Sequence, residues 1–159
     1  MIRVAEELFE IHVDKWTLKV PRDRVYNEND CWAKLDGNVA TLGITDFLQN
    51  MASDIIYVEL PDRGTEVEQF DEAGSFEAIK TMLDLISPVS GVVQEVNEAL
   101  RGQPELVNQD PYGKGWFVKI AVENFEADRE NLIDASAYFE VLKRKVEAER
   151  LKMKGHTER

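Results

Sequence analysis

The chain has 159 residues, of which 43% are hydrophobic and 31% are charged, so it is long enough for one domain with its own core and a small appendage. A net charge of −12 disfavours binding to nucleic acid, and no apolar run approaches the length of a membrane span. The first residues lack the basic-then-apolar layout of a signal peptide, and the single cysteine, Cys31, excludes an intramolecular disulfide, so we expect a cytoplasmic protein.

Apolar and polar side chains alternate along the first 21 residues. This period of two predicts two short strands, or a strand pair that turns at Asp14-Lys15. Pro21 interrupts the pattern. We therefore predict that residues 1–21 form a β extension packed on the core. The apolar positions are Phe9, Ile11, Val13, Trp16, Leu18 and Val20.

Residues 22–142 form the predicted main domain, which includes the start of a C-terminal helix. Many short apolar runs separated by turn signals are typical of an all-β barrel or sandwich. A short helix is predicted from Thr45 to Ala52, with Thr45 as its cap. Residues 55–67 and 83–96 share a strand–Pro–Gly–strand pattern, which indicates an internal duplication or a chance repetition of a common motif.

Lys80 lies between two short apolar runs, with Gly74 before the first run and Ser87-Pro88 after the second. This pattern predicts the tip of a β-hairpin, where the lysine amine points into water and an enzyme can modify it. Most surface lysines serve only solubility. The position between the two repeated segments favours a second interpretation, in which Lys80 carries a covalently attached group.

The pattern turns helical at Asp134, where Asp134 or Ser136 can cap a helix. Residues 143–159 hold seven Lys or Arg and three Asp or Glu, a net charge of +4, which leaves −16 for the rest of the chain. We predict a charged tail over 143–159, helical or frayed. It is either a solvated helix extension or a basic strip for an acidic partner.

The sequence offers little for catalysis by the chain itself. It contains no phosphate-binding glycine loop, no nucleophile elbow and no His/Cys cluster with metal-ligand spacing. Cys31 has no histidine near it in sequence and is followed by Trp32, so we interpret it as a small core residue. These observations favour a cofactor-carrying protein over an enzyme.

The stretch from Trp32 to Ile120 resembles the H protein of the glycine cleavage system, a carrier of lipoate. The resemblance covers more than half of the chain, and its last segment is very specific. In that family the lipoylated lysine lies three residues after a glutamate and eleven before a glycine, a spacing that Glu77, Lys80 and Gly91 satisfy. The matching segments are residues 37–47, 58–61, 64–67, 87–91, 96–100 and 104–116.

The resemblance implies a mainly β barrel-sandwich hybrid of the lipoyl and biotinyl carrier type, with a short internal helix and a C-terminal helix. It implies lipoate in amide linkage to Lys80, with Glu77 and Gly91 as recognition residues for the lipoate-attaching enzyme. The implied partners are that enzyme, glycine decarboxylase, aminomethyltransferase and dihydrolipoamide dehydrogenase. The carried group is then an aminomethyl group, and a monomer is expected because carriers pass between enzymes.

Several positions depart from the family pattern. Residues 77–81 occupy the place of the usual Glu-Ser-Val-Lys-Ala motif and differ from it at Ala78, Ile79 and Thr81. Asp30-Cys31-Trp32 stands where the family usually has His-Glu-Trp. An N-terminal extension and a basic tail are added. These departures resemble the H-protein-like lipoate-binding proteins of bacterial sulfur oxidation, which serve a heterodisulfide-reductase-like complex. On this ground the sulfur pathway is favoured over glycine cleavage.

Two other classes are considered. A biotin carrier has Met on both sides of its lysine, so Ile79 and Thr81 disfavour it. An unmodified scaffolding module remains open if Lys80 is never acylated.

Overall fold

A computed structural model describes residues 2–4 and 7–157 of the chain. Within these residues there are twelve strands and five helices. The strands are β1 (Ile2–Val4), β2 (Leu8–Val13), β3 (Trp16–Pro21), β4 (Val25–Tyr26), β5 (Cys31–Asp36), β6 (Val39–Ile44), β7 (Ile55–Glu59), β8 (Glu66–Val67), β9 (Glu72–Ala78), β10 (Met82–Ile86), β11 (Gly91–Val96) and β12 (Val118–Val122). The helices are α1 (Asp46–Ala52), α2 (Ala99–Gly102), α3 (Leu106–Gln109), α4 (Phe125–Arg129) and α5 (Ala135–Thr157).

The strands form three antiparallel sheets over the described residues. Six strands pair in the order β4-β5-β6-β12-β11-β8, three in the order β10-β9-β7 and three in the order β1-β2-β3. The two repeated segments occupy related places, because β7 and β10 flank β9 while β8 and β11 pair with each other. The prediction of a mainly β fold with a short internal helix and a C-terminal helix is confirmed.

The main core takes side chains from both the six-stranded sheet and the β10–β9–β7 sheet. In β9, Phe76 and Ala78 are buried in this core, and Phe76 packs edge-to-face on Phe117 with ring centroids 5.9 Å apart. Because successive strand side chains point to opposite faces, this burial turns Glu77 toward the outer face of the sheet.

A second core joins the N-terminal sheet to α5. Leu18 and Val20 of β3 are fully buried there, and Phe9 stacks on Phe139 of α5 with ring centroids 5.1 Å apart. The strand pair predicted around Asp14 is confirmed as the β2–β3 hairpin, and Asp14 has the positive φ of 53° that a tight turn needs.

Two predicted helix caps are confirmed. The Thr45 hydroxyl accepts a hydrogen bond from the Leu48 amide at the start of α1. The Asp134 carboxylate accepts one from the Ala137 amide, 2.8 Å away, at the start of α5. Each cap satisfies an amide that the first helical turn leaves without a partner.

Helix α5 runs without a break through the boundary drawn between residues 142 and 143. Val146 is only 2% exposed in the second core. The Lys145 ammonium donates to the Asp30 carboxylate at 2.8 Å and to the Glu28 carbonyl oxygen at 2.6 Å. Lys145 and Val146 therefore belong with the folded body, and the solvated part of the tail begins after them.

Ion pairs offset much of the positive charge on α5. Lys143, Arg150 and Lys152 each pair with a glutamate on the same helix, and Arg150 also pairs with Asp14 in the β2–β3 turn at 3.3 Å. This pairing favours a solvated helix over a basic strip for an acidic partner. Among the described residues, no helix is both long and apolar enough to cross a membrane.

Truncation after Leu142 is expected to destabilise the fold. It removes the buried Val146 side chain and leaves the nearly buried Asp30 without its ammonium partner, a loss of about 2–4 kcal/mol in the free energy of unfolding. Truncation after Leu151 is the control, because it keeps both contacts and should change stability by less than about 0.5 kcal/mol. Urea unfolding of the two truncated chains measures the difference in stability. Equal midpoints would contradict the assignment of Lys145 and Val146 to the folded body.

Candidate functional site

Lys80 lies in the turn that joins β9 to β10. The turn is closed by a hydrogen bond from the Ala78 amide to the Thr81 carbonyl oxygen at 2.8 Å, and the strands then pair outward from Glu77 opposite Met82. Lys80 and both flanking turn residues, Ile79 and Thr81, are exposed. The predicted hairpin tip is confirmed.

The Lys80 side chain has the properties that amide attachment needs. No hydrogen bond or ion pair to its amine occurs within the described part of the chain, so nothing in the fold competes with an enzyme for it. Strands β9 and β10 pair on either side of the turn, so the backbone before and after the lysine is hydrogen-bonded into the sheet. An exposed primary amine on a fixed turn fits the covalent attachment of lipoate that the resemblance implies.

Glu77 lies on the outer face of the β10–β9–β7 sheet, in a row that crosses all three strands. It is directly opposite Tyr57 of β7 and Met82 of β10 in the strand registers. Side chains of directly opposed residues in antiparallel strands share a face and touch. Glu77 is half-buried, and within the described residues its carboxylate forms no hydrogen bond or ion pair. The carboxylate is therefore available to a partner.

A second row behind the first is acidic. Glu59, Ser75 and Asp84 are opposed across the same three strands, and Glu72 lies near its two carboxylates. Burial, followed by repulsion from Asp84 and Glu59, raises the pKa of the Glu72 carboxyl. The outer face of this sheet thus combines a row at the tip, in which Tyr57 and Met82 flank Glu77, with acidic side chains behind it.

Replacement of Glu72 by glutamine is expected to stabilise the protein at neutral pH. A raised pKa in the folded state means that the stability contributed by Glu72 is present below its unfolded pKa and is lost as pH rises through the folded pKa. The variant avoids that loss, so its melting temperature should exceed the wild-type value at about pH 7 and match it below about pH 4. Thermal unfolding curves over a series of pH values measure the difference in melting temperature at neutral and at acidic pH. A difference that grows on acidification would contradict the predicted direction of the effect.

Gly91 lies outside the β9–β10 hairpin, at the start of β11 in the six-stranded sheet. It is buried and pairs with Val122 on one side and Val67 on the other. A Cβ atom at this position would stand 2.1 Å from the Ala121 carbonyl oxygen and 2.6 Å from Ile120 Cγ2. The structure therefore gives Gly91 a packing reason to be glycine.

Cys31 is fully buried in the main core, as the sequence predicted for a small core residue. Burial raises the pKa of its thiol to about 12. The neighbouring Asp30 has a positive φ of 64° and accepts a hydrogen bond from the Tyr138 hydroxyl at 2.6 Å. These two departures from the family motif therefore lie in the body of the fold, where Asp30 ties the loop before β5 to α5.

Sequence reasoning missed Tyr57 and Met82 as neighbours of the site. Met82 is two residues from Lys80, but only the strand register shows that it flanks Glu77. Tyr57 is distant in sequence, and a bulge between Ile55 and Tyr57 sets its register. Within the described residues, no group of three or more His, Cys, Asp or Glu side chains is placed to hold a metal ion.

Comparison with known proteins identifies the family. The family model described as "Glycine cleavage H-protein" matches residues 24–145. The glycine cleavage system H protein of Symbiobacterium thermophilum is 45% identical over 119 residues, which cover 75% of this chain and 92% of that protein. The probable glycine cleavage system H protein of Aeropyrum pernix is 40% identical over 141 residues, which cover 89% of this chain and 98% of that protein.

A solved structure agrees with these sequence relatives. The crystal structure of a glycine cleavage system H protein from Mycobacterium marinum superposes with a TM-score of 0.65 at 33% sequence identity, covering 75% of this chain and 95% of the other. The chain therefore belongs to the glycine cleavage H-protein family, whose members carry covalently attached lipoate and serve the glycine cleavage system without being catalysts themselves.

Proposed function

We propose that this chain is the lipoyl carrier of a glycine cleavage system and that Lys80 is its attachment residue. The observation that carries the proposal is the exposed Lys80 amine at the tip of the β9–β10 hairpin, three residues after Glu77, in a chain of this family. The proposed partners are the lipoate-attaching enzyme, glycine decarboxylase, aminomethyltransferase and dihydrolipoamide dehydrogenase.

The residues of the chain hold the attachment point in place and give the attached arm access to the active sites of partner enzymes. Acylation removes the positive charge of Lys80, so the tip no longer holds a charged amine in water and can enter an apolar active-site mouth. The closed turn and paired strands keep the attachment point fixed, while the long lysine side chain provides reach. When bound, lipoate supplies a dithiolane that accepts a group or electrons by thiol–disulfide exchange. Tethering raises the effective concentration of that group at each partner.

Glycine–bicarbonate exchange tests the pathway. The lipoylated protein, as the only H component with a purified glycine decarboxylase, should support exchange at a rate comparable to that of an established H protein. The Lys80→Arg variant should support none. Failure of the fully lipoylated wild-type protein, with an established H protein active in the same assay, would contradict the glycine cleavage assignment.

The sulfur-oxidation pathway favoured by the sequence departures receives no support from the relatives described above, each of which is named as a glycine cleavage system H protein or a probable one. The structure also weakens one of the sequence arguments for that pathway, the change at Asp30 and Cys31. Asp30 and Cys31 are buried residues with packing and hydrogen-bonding roles, so their change does not alter the surface at the tip.

The two proposed recognition residues act differently. Among the residues that the structure describes, the Glu77 carboxylate has no hydrogen-bond or ion-pair partner, and Glu77 is three residues from the target lysine, which suits direct contact with a basic surface of the attaching enzyme. Gly91 is buried in another sheet, so it supports attachment only through the fold.

Glu77→Gln is expected to slow lipoylation about tenfold, because it removes one charged contact with the attaching enzyme at nearly constant shape. Its melting temperature should stay close to that of the wild type. Glu66→Gln, at an exposed carboxylate on β8, is the matched control and should be lipoylated normally. Unchanged lipoylation of Glu77→Gln, or an equal loss in the control, would contradict the direct role of Glu77.

A further inference from the structure

The β10–β9–β7 sheet and its Lys80 turn expose four large apolar side chains at one end. Ile79 is 70% exposed, Met82 63%, Tyr57 55% and Ile56 53%. Ile79 lies in the turn, Met82 and Tyr57 flank Glu77, and Ile56 lies at the bulge of β7. Single exposed apolar residues need no explanation, but a contiguous group is characteristic of an interaction surface.

Acidic side chains lie directly behind this group. Glu59 and Asp84 are the two ends of the next cross-strand row. Burial, and then repulsion from Asp84 and Glu59, raises the pKa of the Glu72 carboxyl. Clustered like charges oppose one another in the folded protein, whereas a basic partner surface would neutralise them and steer the encounter. The surface therefore fits a partner with an apolar lip and a basic patch beside it.

The position of the apolar group distinguishes among the proposed partners. An enzyme that acylates Lys80 must bring its reactive carbon within bonding distance of the Lys80 Nζ, so Ile79 and Met82 must enter its active-site mouth with the lysine. Enzymes that act on the far end of the attached arm meet the protein across the length of that arm. Contact with the residues beside the lysine is obligatory only for attachment.

We propose that Ile79, Tyr57 and Met82, with Glu59 and Asp84 behind them, form the docking surface for the lipoate-attaching enzyme. The inference rests on the proposed attachment at Lys80 and extends it from Glu77 alone to a surface across three strands. In the reaction, the Lys80 nitrogen forms an amide bond with the carbonyl carbon of a lipoyl acyl-phosphate donor. The bond from that carbon to the phosphate oxygen breaks, the phosphate leaves with the electron pair, and the amine loses a proton.

The test uses the full chain, lipoate, ATP and a purified lipoate–protein ligase, with acylation followed by intact mass. The Tyr57→Thr/Met82→Thr double variant keeps strand-compatible side chains but removes the apolar surface. Its kcat/KM for lipoylation should fall at least about tenfold, mainly through a higher KM, because these residues bind the enzyme and do not touch the reacting atoms. Leu151→Gln is the matched control, since Leu151 is 61% exposed on α5, and it should react at the wild-type rate.

The contribution of the acidic side chains is measured separately, by the dependence of lipoylation on ionic strength. The kcat/KM of the wild type should fall as ionic strength rises, and Glu59→Gln/Asp84→Asn should flatten that dependence. A salt dependence unchanged by this double variant would overturn the charge complementarity.

The outcomes separate this inference from the proposed function. A wild-type protein that is not acylated, or is acylated elsewhere than Lys80, overturns the proposed function. A wild type acylated at Lys80, with the Tyr57→Thr/Met82→Thr variant acylated equally fast, overturns the docking surface alone. Self-association of the wild type that this variant abolishes would assign the surface to a second copy. The lipoylated and reduced variant can also be given to dihydrolipoamide dehydrogenase. If its oxidation slows as much as its lipoylation does, the surface serves partners in general and not the attaching enzyme alone.

Discussion

Replacement of Lys80 by arginine is expected to abolish lipoylation completely while leaving the fold intact. Arginine keeps the positive charge and the length of the side chain, but its guanidinium stays protonated and does not form the amide. Within the described residues the Lys80 amine makes no hydrogen bond or ion pair, so its loss removes no contact. Intact mass after incubation with a lipoate–protein ligase measures the acylation, and thermal unfolding measures the fold.

The control for this experiment is Lys34→Arg, at an exposed lysine of β5 whose pairing with Asp23 an arginine can also make. That variant should be lipoylated like the wild type. Detection of a lipoyl group on the Lys80→Arg protein would contradict the assignment of Lys80 as the attachment residue.

Gly91→Ala is expected to lower the free energy of unfolding by about 3 kcal/mol. The new methyl group would meet the Ala121 carbonyl oxygen at 2.1 Å, and that oxygen belongs to the backbone of the paired strand β12, which can move only by breaking its register. Lipoylation of the variant should fall only as far as the folded fraction falls. Urea unfolding and ligase kinetics on the same preparation separate the two effects.

Gly102→Ala is the control, because, apart from its chain neighbours and the backbone of its own helix, no atom of the described residues lies within 4 Å of the position that its Cβ would take. It should leave both stability and lipoylation nearly unchanged. A stable Gly91→Ala protein that is poorly lipoylated would reverse the interpretation and make Gly91 a direct recognition residue. Gly91→Ala and Glu77→Gln are thus expected to show opposite patterns of stability and acylation.

Local sequence signals were sufficient where a short stretch decides the structure. Thr45 and Asp134 cap helices because each side chain bonds an amide three residues on. The turn at Asp14 follows from alternating apolar residues on either side, and the hairpin tip at Lys80 follows from the two short apolar runs that flank it. Burial of Cys31 agrees with the usual behaviour of a lone cysteine.

Long-range features could not be predicted in the same way. The role of Lys145 depends on the loop containing Asp30, more than a hundred residues earlier, and the boundary drawn after residue 142 ignored that contact. The row that contains Glu77 depends on the registers of three strands and on a bulge in β7. Gly91 satisfied the family spacing, but only the packing of β11 against β12 shows the steric reason for a glycine.

We propose that this chain is a lipoate carrier acylated at Lys80, and the mass of the natively expressed protein is the decisive measurement. Intact mass should exceed the sequence mass by one lipoyl group, and peptide mapping should place that group on Lys80. An unmodified protein from cells that lipoylate their other carriers, a biotinyl group, or a lipoyl group on another lysine would contradict attachment of lipoate at Lys80.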